Sequence, residues 1–143
     1  MTSPTTPQIA ELATQLRLAC MRISRRVRFE SADGTAPHQF SVLVRLAEKP
    51  RTAGELADIE RVSAPSMTRT VGGLVDRGLV SRASDPADGR CVILSLTEAG
   101  AAAVEQIRAA RNEWMAARVA ELDEADREVL RRAARILQAV AEK

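Results

Sequence analysis

Two arginines are the side chains of this sequence best suited to recognition chemistry. Arg90 closes the polar stretch Ser84-Asp85-Pro86-Ala87-Asp88-Gly89-Arg90, whose residue types form exposed turns. A guanidinium at the tip of such a turn fits the narrow minor groove of duplex DNA, where negative potential is concentrated. Asp88 stands two positions earlier across Gly89, placed to hold that guanidinium in a bidentate pair. Arg69 lies in a stretch of helical periodicity, where its fork can reach the edge of a guanine. Ser66 and Thr68 beside it can bond either phosphates or bases, and Arg82 is placed to touch phosphate.

Other chemistries find little to work with. His38 is the only histidine, and Cys20 and Cys91 are far apart with no ligand spacing around them, so no metal site is expected. In a reducing cytoplasm both cysteines are expected as free thiols. The sequence has no glycine-rich phosphate loop and no Ser or Cys nucleophile with a recognisable base. No catalytic residue and no cofactor is therefore expected, and the enzyme class is set aside.

The elements that must position these residues follow from periodicity. In residues 8–30, Ile9, Leu12, Leu16, Cys20, Ile23 and Val27 recur at three- and four-residue spacing, which predicts an amphipathic helix. Its other faces carry Arg17, Arg22, Arg25, Arg26 and Arg28, read as solvated surface, with phosphate contact or pairing to Glu121 and Glu124 as alternatives. A second helix over residues 37–47 buries Phe40, Leu43, Val44 and Ala47 and closes before Pro50. Thr52 with Glu55 is a capping-box pattern opening a short helix that ends near Glu60. Ser63 caps the next helix, Ala64 to Arg77, with Pro65 in its first turn. Met67, Val71 and Leu74 face inward there, which turns Pro65, Arg69, Gly72, Gly73 and Asp76 outward. Helix, short turn and helix make a helix-turn-helix. After Gly78 the period becomes two, and strands at 79–83 and 91–96 enclose the polar turn as a hairpin wing. Thr97 and Gly100 open a helix to about Glu121 carrying Val104, Ile107 and Trp114. A last helix over 123–141 carries the stripe Val129, Leu130, Ala133, Ile136, Leu137 and Val140.

With 143 residues and 45% hydrophobic content, the chain suffices for one domain with a core, built of Leu, Val, Ile and Ala because aromatics are only 2%. A net charge of +2 is too mild to establish nucleic-acid binding by itself. Residues 51–96 carry six Arg against six acids, which leaves open a winged helix that uses Arg69 and Arg90 for a protein partner. Lys49 and Lys143 are the only lysines, and arginine suits forked contacts better than lysine does. Residues 1–7 lack the features of a signal peptide, and no apolar run has the length to cross a bilayer. A cytoplasmic protein with no membrane partner is expected.

Asp88-Gly89-Arg90 followed by Cys91 through Gly100 resembles the wing signature of the MarR family: an Asp and an Arg one residue apart, then an apolar strand ending in Leu-Thr and a Gly. Leu56-Ala57, Val62-Ser63, Thr68-Arg69, Leu74 and Arg77-Gly78-Leu79-Val80 fall where that family has its helix-turn-helix. Gln39-Phe40 with Leu43 to Leu46 resemble its second helix, so the resemblance covers residues 8–141. It implies a mainly α fold with a small β-hairpin wing. Residues 1–143 then form a single domain, with dimerisation helices at 8–30 and 97–141 around a winged helix-turn-helix lobe at 37–96. It further implies a transcription regulator, a repressor that binds a pseudo-palindromic operator in double-stranded DNA as a homodimer and responds to a small aromatic or hydrophobic effector. The DNA contacts carried over are Ser63, Ala64, Pro65, Ser66, Thr68, Arg69, Gly72 and Gly73 from the recognition helix, and Arg82, Asp88, Gly89 and Arg90 from the wing. The terminal helices point to a dimer independently, since their apolar faces exceed what a small lobe can cover.

Three residue assignments stay open between a functional and a structural reading. His38 begins the second helix near where the family's effectors bind, and is either an effector contact or a surface or capping residue. Cys20 is either a core cysteine or, as in relatives that sense oxidants through a first-helix cysteine, a redox site, although no Tyr exists to bond a thiolate. Gly72-Gly73 replaces the longer polar residues usual in the family, at about 2 kcal/mol of helix propensity. The pair either lets the backbone approach DNA closely or reflects drift in a helix stabilised by its neighbours.

Overall fold

The computed structural model describes residues 6–31 and 33–143; residues 1–5, where the polar N-terminal stretch begins, lie outside them. In chain order the elements are α1 (Thr6–Val27), α2 (Pro37–Glu48), α3 (Ala53–Glu60), α4 (Ala64–Asp76), β1 (Val80–Ser84), β2 (Val92–Leu96), α5 (Glu98–Ala120) and α6 (Glu124–Ala141). Four helices start where a short oxygen-bearing side chain takes an orphan amide. Thr52 accepts from the Glu55 N–H, Ser63 from Ser66, Thr97 from Gly100 and Asp123 from Asp126. The first helix is Thr6–Val27 instead of 8–30, because the Glu30 N–H bonds the Val27 carbonyl at 2.9 Å and tightens the chain into a turn.

A single apolar cluster holds the middle of the chain together. Val42, Leu43 and Leu46 of α2 meet Leu56 of α3, Met67, Val71 and Leu74 of α4, Val80 and Leu94 of the hairpin, and Val104 and Ile107 of α5. Burying each such side chain is worth about 1.5–3 kcal/mol. The strands pair antiparallel, with Val80 opposite Leu96 and Arg82 opposite Leu94. Arg51 adds a one-residue third strand that periodicity does not reveal: its N–H bonds the Leu94 carbonyl at 3.1 Å, and its carbonyl accepts the Leu94 N–H at 2.8 Å. The outer helices behave differently. Neither α1 nor α6 has a buried residue, and Ile9 and Leu12 at one end of the chain and Val129 and Val140 at the other are each more than half exposed. Arg127 joins α6 to α5, its guanidinium donating to the carbonyls of Val119 and Ala120 at the end of α5.

Two junctions fix α4 within this frame. Gly78 leaves the helix in the left-handed conformation with φ 73, and its carbonyl accepts the Thr97 hydroxyl at 2.6 Å. Gly100 then packs against the same turn, so that a Cβ there would overlap the Leu79 carbonyl oxygen and lie 2.6 Å from Leu96 Cδ1. On the other side, Arg77 donates to Asp33 at 3.2 Å and to the Thr35 hydroxyl at 2.9 Å in the connection before α2. Burial alone would raise the Asp33 carboxyl. Hydrogen bonds from the Thr35 and Ser31 hydroxyls and the Thr35 N–H, with the Arg77 charge, outweigh it and hold the pKa at about 2 against an ordinary 3.8.

Two stability effects are expected from these junctions. Gly100→Ala should lower the free energy of unfolding in urea by about 3 kcal/mol, because backbone must move to admit the methyl. Gly89→Ala, in open space, should change it by less than about 0.5 kcal/mol. The Asp33 pKa is lower in the folded than in the unfolded chain, so ionised Asp33 stabilises the fold above pH 3.8 and that contribution is lost as pH falls toward 2. Asp33→Asn should therefore be less stable than wild type at neutral pH, with urea midpoints converging between about pH 3.8 and 2.

Candidate nucleic-acid interface

The helix pair is built around Arg61, which ends α3 in the left-handed conformation at φ 54 and ψ 47. The following N–H, of Val62, returns to the Ala57 carbonyl at 3.0 Å, and the chain enters α4 at the exposed residues Ser63, Ala64 and Pro65. Met67, Val71 and Leu74 hold one face of α4 in the core, which leaves Thr68 and Arg69 exposed on the other. Thr68 donates its hydroxyl to the Ala64 carbonyl at 2.9 Å, so its methyl and lone pairs are what it presents outward. One Arg69 nitrogen reaches the half-buried Ser66 hydroxyl at 3.5 Å, a weak tether that leaves the rest of the fork available.

The glycine pair divides. A Cβ on Gly72 would meet nothing within 4 Å, in line with an outward position, whereas one on Gly73 would lie 3.4 Å from Gln39 Nε2 of α2. Gly73 therefore faces α2 and not outward as the helical wheel predicts, because the crossing of α2 over α4 brings Gln39 to that side.

The wing tip is shaped by two aspartates. Asp85 accepts the Ala87 N–H at 2.9 Å, and Asp88 Oδ1 accepts both the Arg90 N–H at 3.1 Å and Arg90 Nε at 3.3 Å. The bidentate pair expected between Asp88 and Arg90 is thus replaced by contacts to one oxygen, because the backbone N–H draws that oxygen into the turn; Oδ2 takes the Cys91 thiol at 3.6 Å instead. The Arg90 N–H, and after it the Arg90 side chain, lowers the Asp88 pKa. The Arg90 side chain remains 93% exposed, beside the exposed Gly89. Arg82 of β1 and Thr68 of α4 line a common cavity of about 190 Å³ with Val71 and Val92, so the wing and the recognition helix adjoin.

The other singled-out residues are distributed as follows. His38 is exposed and lines a cleft of about 560 Å³ with Arg28, Glu60, Ser66, Arg69 and Thr70, between α2 and the start of α4. Cys20 is exposed on α1, not in a core: the stripe that contains it is left uncovered by the described chain. Glu124 pairs with Arg127 and Arg131, not with the α1 arginines. Among the described residues, no three His, Cys, Asp or Glu side chains gather into a metal-ligand set. No helix among the described residues is long and apolar enough to cross a membrane.

Sequence reasoning missed Arg111. Its guanidinium lies 4.0 Å from the Phe40 ring centroid and donates to the Arg28 carbonyl at 3.2 Å, while its buried Nε has no hydrogen-bond partner. Burial, and next the charge of Arg28, lowers its pKa. These groups line a cleft of about 380 Å³ that also includes Val44 and Arg45. The available signal was an arginine at helical spacing from the buried Ile107.

Known proteins agree with this geometry. A family model described as the MarR family matches residues 33–90. An HTH-type transcriptional regulator of Mycobacterium tuberculosis is 45% identical over 135 residues, covering 93% of this chain and 94% of that protein. A transcriptional regulator from Thermotoga maritima superposes with a TM-score of 0.78 at 26% identity, covering 93% of this chain and 95% of that one. A MepR variant of S. aureus bound to an oligodeoxyribonucleotide shares the fold, with a TM-score of 0.69 at 19% identity over 90% of this chain and 97% of that one. A helix-turn-helix beside a two-stranded wing, in a chain this similar to such regulators over nearly its full length, belongs to the MarR family of winged-helix transcriptional regulators.

Proposed function

We propose that the protein is a homodimeric repressor that reads a pseudo-palindromic operator and is released by a small aromatic acid. The observation that carries the DNA reading is the juxtaposition of α4 with the hairpin: exposed Arg69 on a capped helix and exposed Arg90 at the tip of the adjoining wing. The helix has the width to enter a major groove, with Ser63, Ala64, Pro65, Ser66, Thr68 and Gly72 along the entering surface. Arg90 then reaches the flanking minor groove, Gly89 and Asp88 shape its approach, and Arg82 lies toward phosphate. The same fold in the S. aureus protein is bound to an oligodeoxyribonucleotide, which supports this docking.

The uncovered stripes of α1 and α6 support a symmetric dimer. Residues 8–30 and 97–141 supply its interface, and the lobe at 37–96 is left to read DNA. A two-fold dimer matches half-sites about one helical turn apart. The effector is assigned to the Phe40–Arg111 cleft, where a carboxylate would give the Arg111 Nε its missing partner and an aromatic ring would lie against Phe40. The cleft of His38 shares Arg28, Pro37 and Ser41 with it, so occupation of one bears on the packing of α4. A ligand held more tightly by a conformation with altered helix spacing lowers DNA affinity by that difference.

Operator binding tests the reading. Arg69→Ala should cost about 1–3 kcal/mol and relax base preference at one position in each half-site. Arg90→Ala should weaken binding comparably, and wild-type affinity in that variant would remove the wing from the interface. Wild-type affinity should also fall steeply with salt; affinity indifferent to salt would favour a protein partner for Arg69 and Arg90. Benzoate should release the operator from wild type and not from Arg111→Gln, whereas equal release from both would place the effector elsewhere.

A further inference from the structure

Arg77 ends the recognition helix, yet its guanidinium is committed to a different part of the chain. It donates to the Thr35 hydroxyl at 2.9 Å and to Asp33 Oδ2 at 3.2 Å, both in the connection between α1 and α2. Ser31, Asp33 and Thr35 of that connection are also bonded to one another. Thr35 is only 4% exposed, and its N–H is held by Asp33 Oδ1 at 2.9 Å, which also accepts the Ser31 hydroxyl at 2.7 Å. A second close approach follows the same line: a Cβ on Gly73 would lie 3.4 Å from Nε2 of Gln39, whose Oε1 accepts the Ala36 N–H at 3.1 Å at the start of α2.

The buried stripe of Met67, Val71 and Leu74 keeps α4 on the core, but apolar contact is non-directional and tolerates small rotations about the stripe. Charge-assisted hydrogen bonds carry direction. The pair is about one-third exposed on each side, so its contribution to overall stability is small and its consequence is orientation. We propose that Arg77 and Asp33 form a latch that fixes the tilt of α4 against the chain leaving α1, and thereby the separation of the two recognition helices in the dimer. Arg77 is in this account a positioning residue and makes no phosphate contact. The proposal rests on the dimeric operator reading given above.

The test compares the operator recovered by wild type from random duplex DNA with versions whose half-sites are one base pair closer or farther apart. Wild type should prefer its own spacing by on the order of tenfold, a penalty like that of a mismatched pair. Arg77→Gln and Asp33→Asn should each reduce that preference to about twofold. Both should leave the dependence of log affinity on log salt unchanged, since no phosphate contact is lost. Asp33→Asn keeps the oxygen that accepts from Thr35, so it retains the loop and tests the latch even if Arg77→Gln fails to fold. Unchanged spacing preference in folded Asp33→Asn would overturn the proposal. So would a salt slope that falls in Arg77→Gln alone, which would make Arg77 a phosphate contact. Failure of wild type to recover any two-fold site would instead remove the dimeric reading and the latch with it.

Discussion

At the end of the recognition helix the backbone makes a turn on which three elements depend. Gly78 takes the left-handed conformation, its carbonyl accepts the Thr97 hydroxyl, and the Leu79 carbonyl accepts the Thr97 N–H at 3.1 Å. Gly100 lies against the same carbonyl with no room for a side chain. Within a few residues, the end of α4, the root of the wing and the start of α5 are thus joined by hydrogen bonds and one close backbone approach. This closure sets where the wing stands relative to the recognition helix, and it roots both on a long helix that leads out of the lobe.

Against that scaffold the arginines divide into two sets. Arg45 pairs with Glu60 and Glu48, Arg51 with Glu48, Arg77 with Asp33, and Arg127 caps α5. Their charge is spent on acids and carbonyls of the same chain. Arg69, Arg82 and Arg90 remain exposed on the helix and the wing. The equal number of basic and acidic residues across 51–96 therefore does not describe the surface a partner meets, because Arg69, Arg82 and Arg90 are grouped on one helix and its adjoining wing. What steers a polyanion is the local field, not the sum.

Much of this was legible because it is written at short range. The stripe Met67, Val71 and Leu74 gives both the helix and its buried face, and Ser63 and Thr97 stand where a hydroxyl can take the N–H three residues on. Period-two apolar residues in 92–96 give the second strand. What was not legible joins distant positions. Arg77 and Asp33 are 44 residues apart, and neither their pairing nor the Arg51 bridge to Leu94 leaves any periodic trace. Gly73 facing Gln39 depends on the crossing of two helices, and Arg111 beneath Phe40 looks in sequence like one more surface arginine. Cys20 shows a subtler limit. An amphipathic stripe announces that a face is apolar, but not that its own chain will cover it, and here the chain leaves it open.

The central claim is that α4 and the wing read DNA as a symmetric pair. Selection of bound sequences from random duplex DNA by the purified protein, at two salt concentrations, tests it most directly. The account predicts enrichment of a two-fold symmetric site with half-sites about one helical turn apart, bound less tightly at the higher salt. Recovery of no common sequence, or of a single asymmetric half-site at both salts, would contradict it.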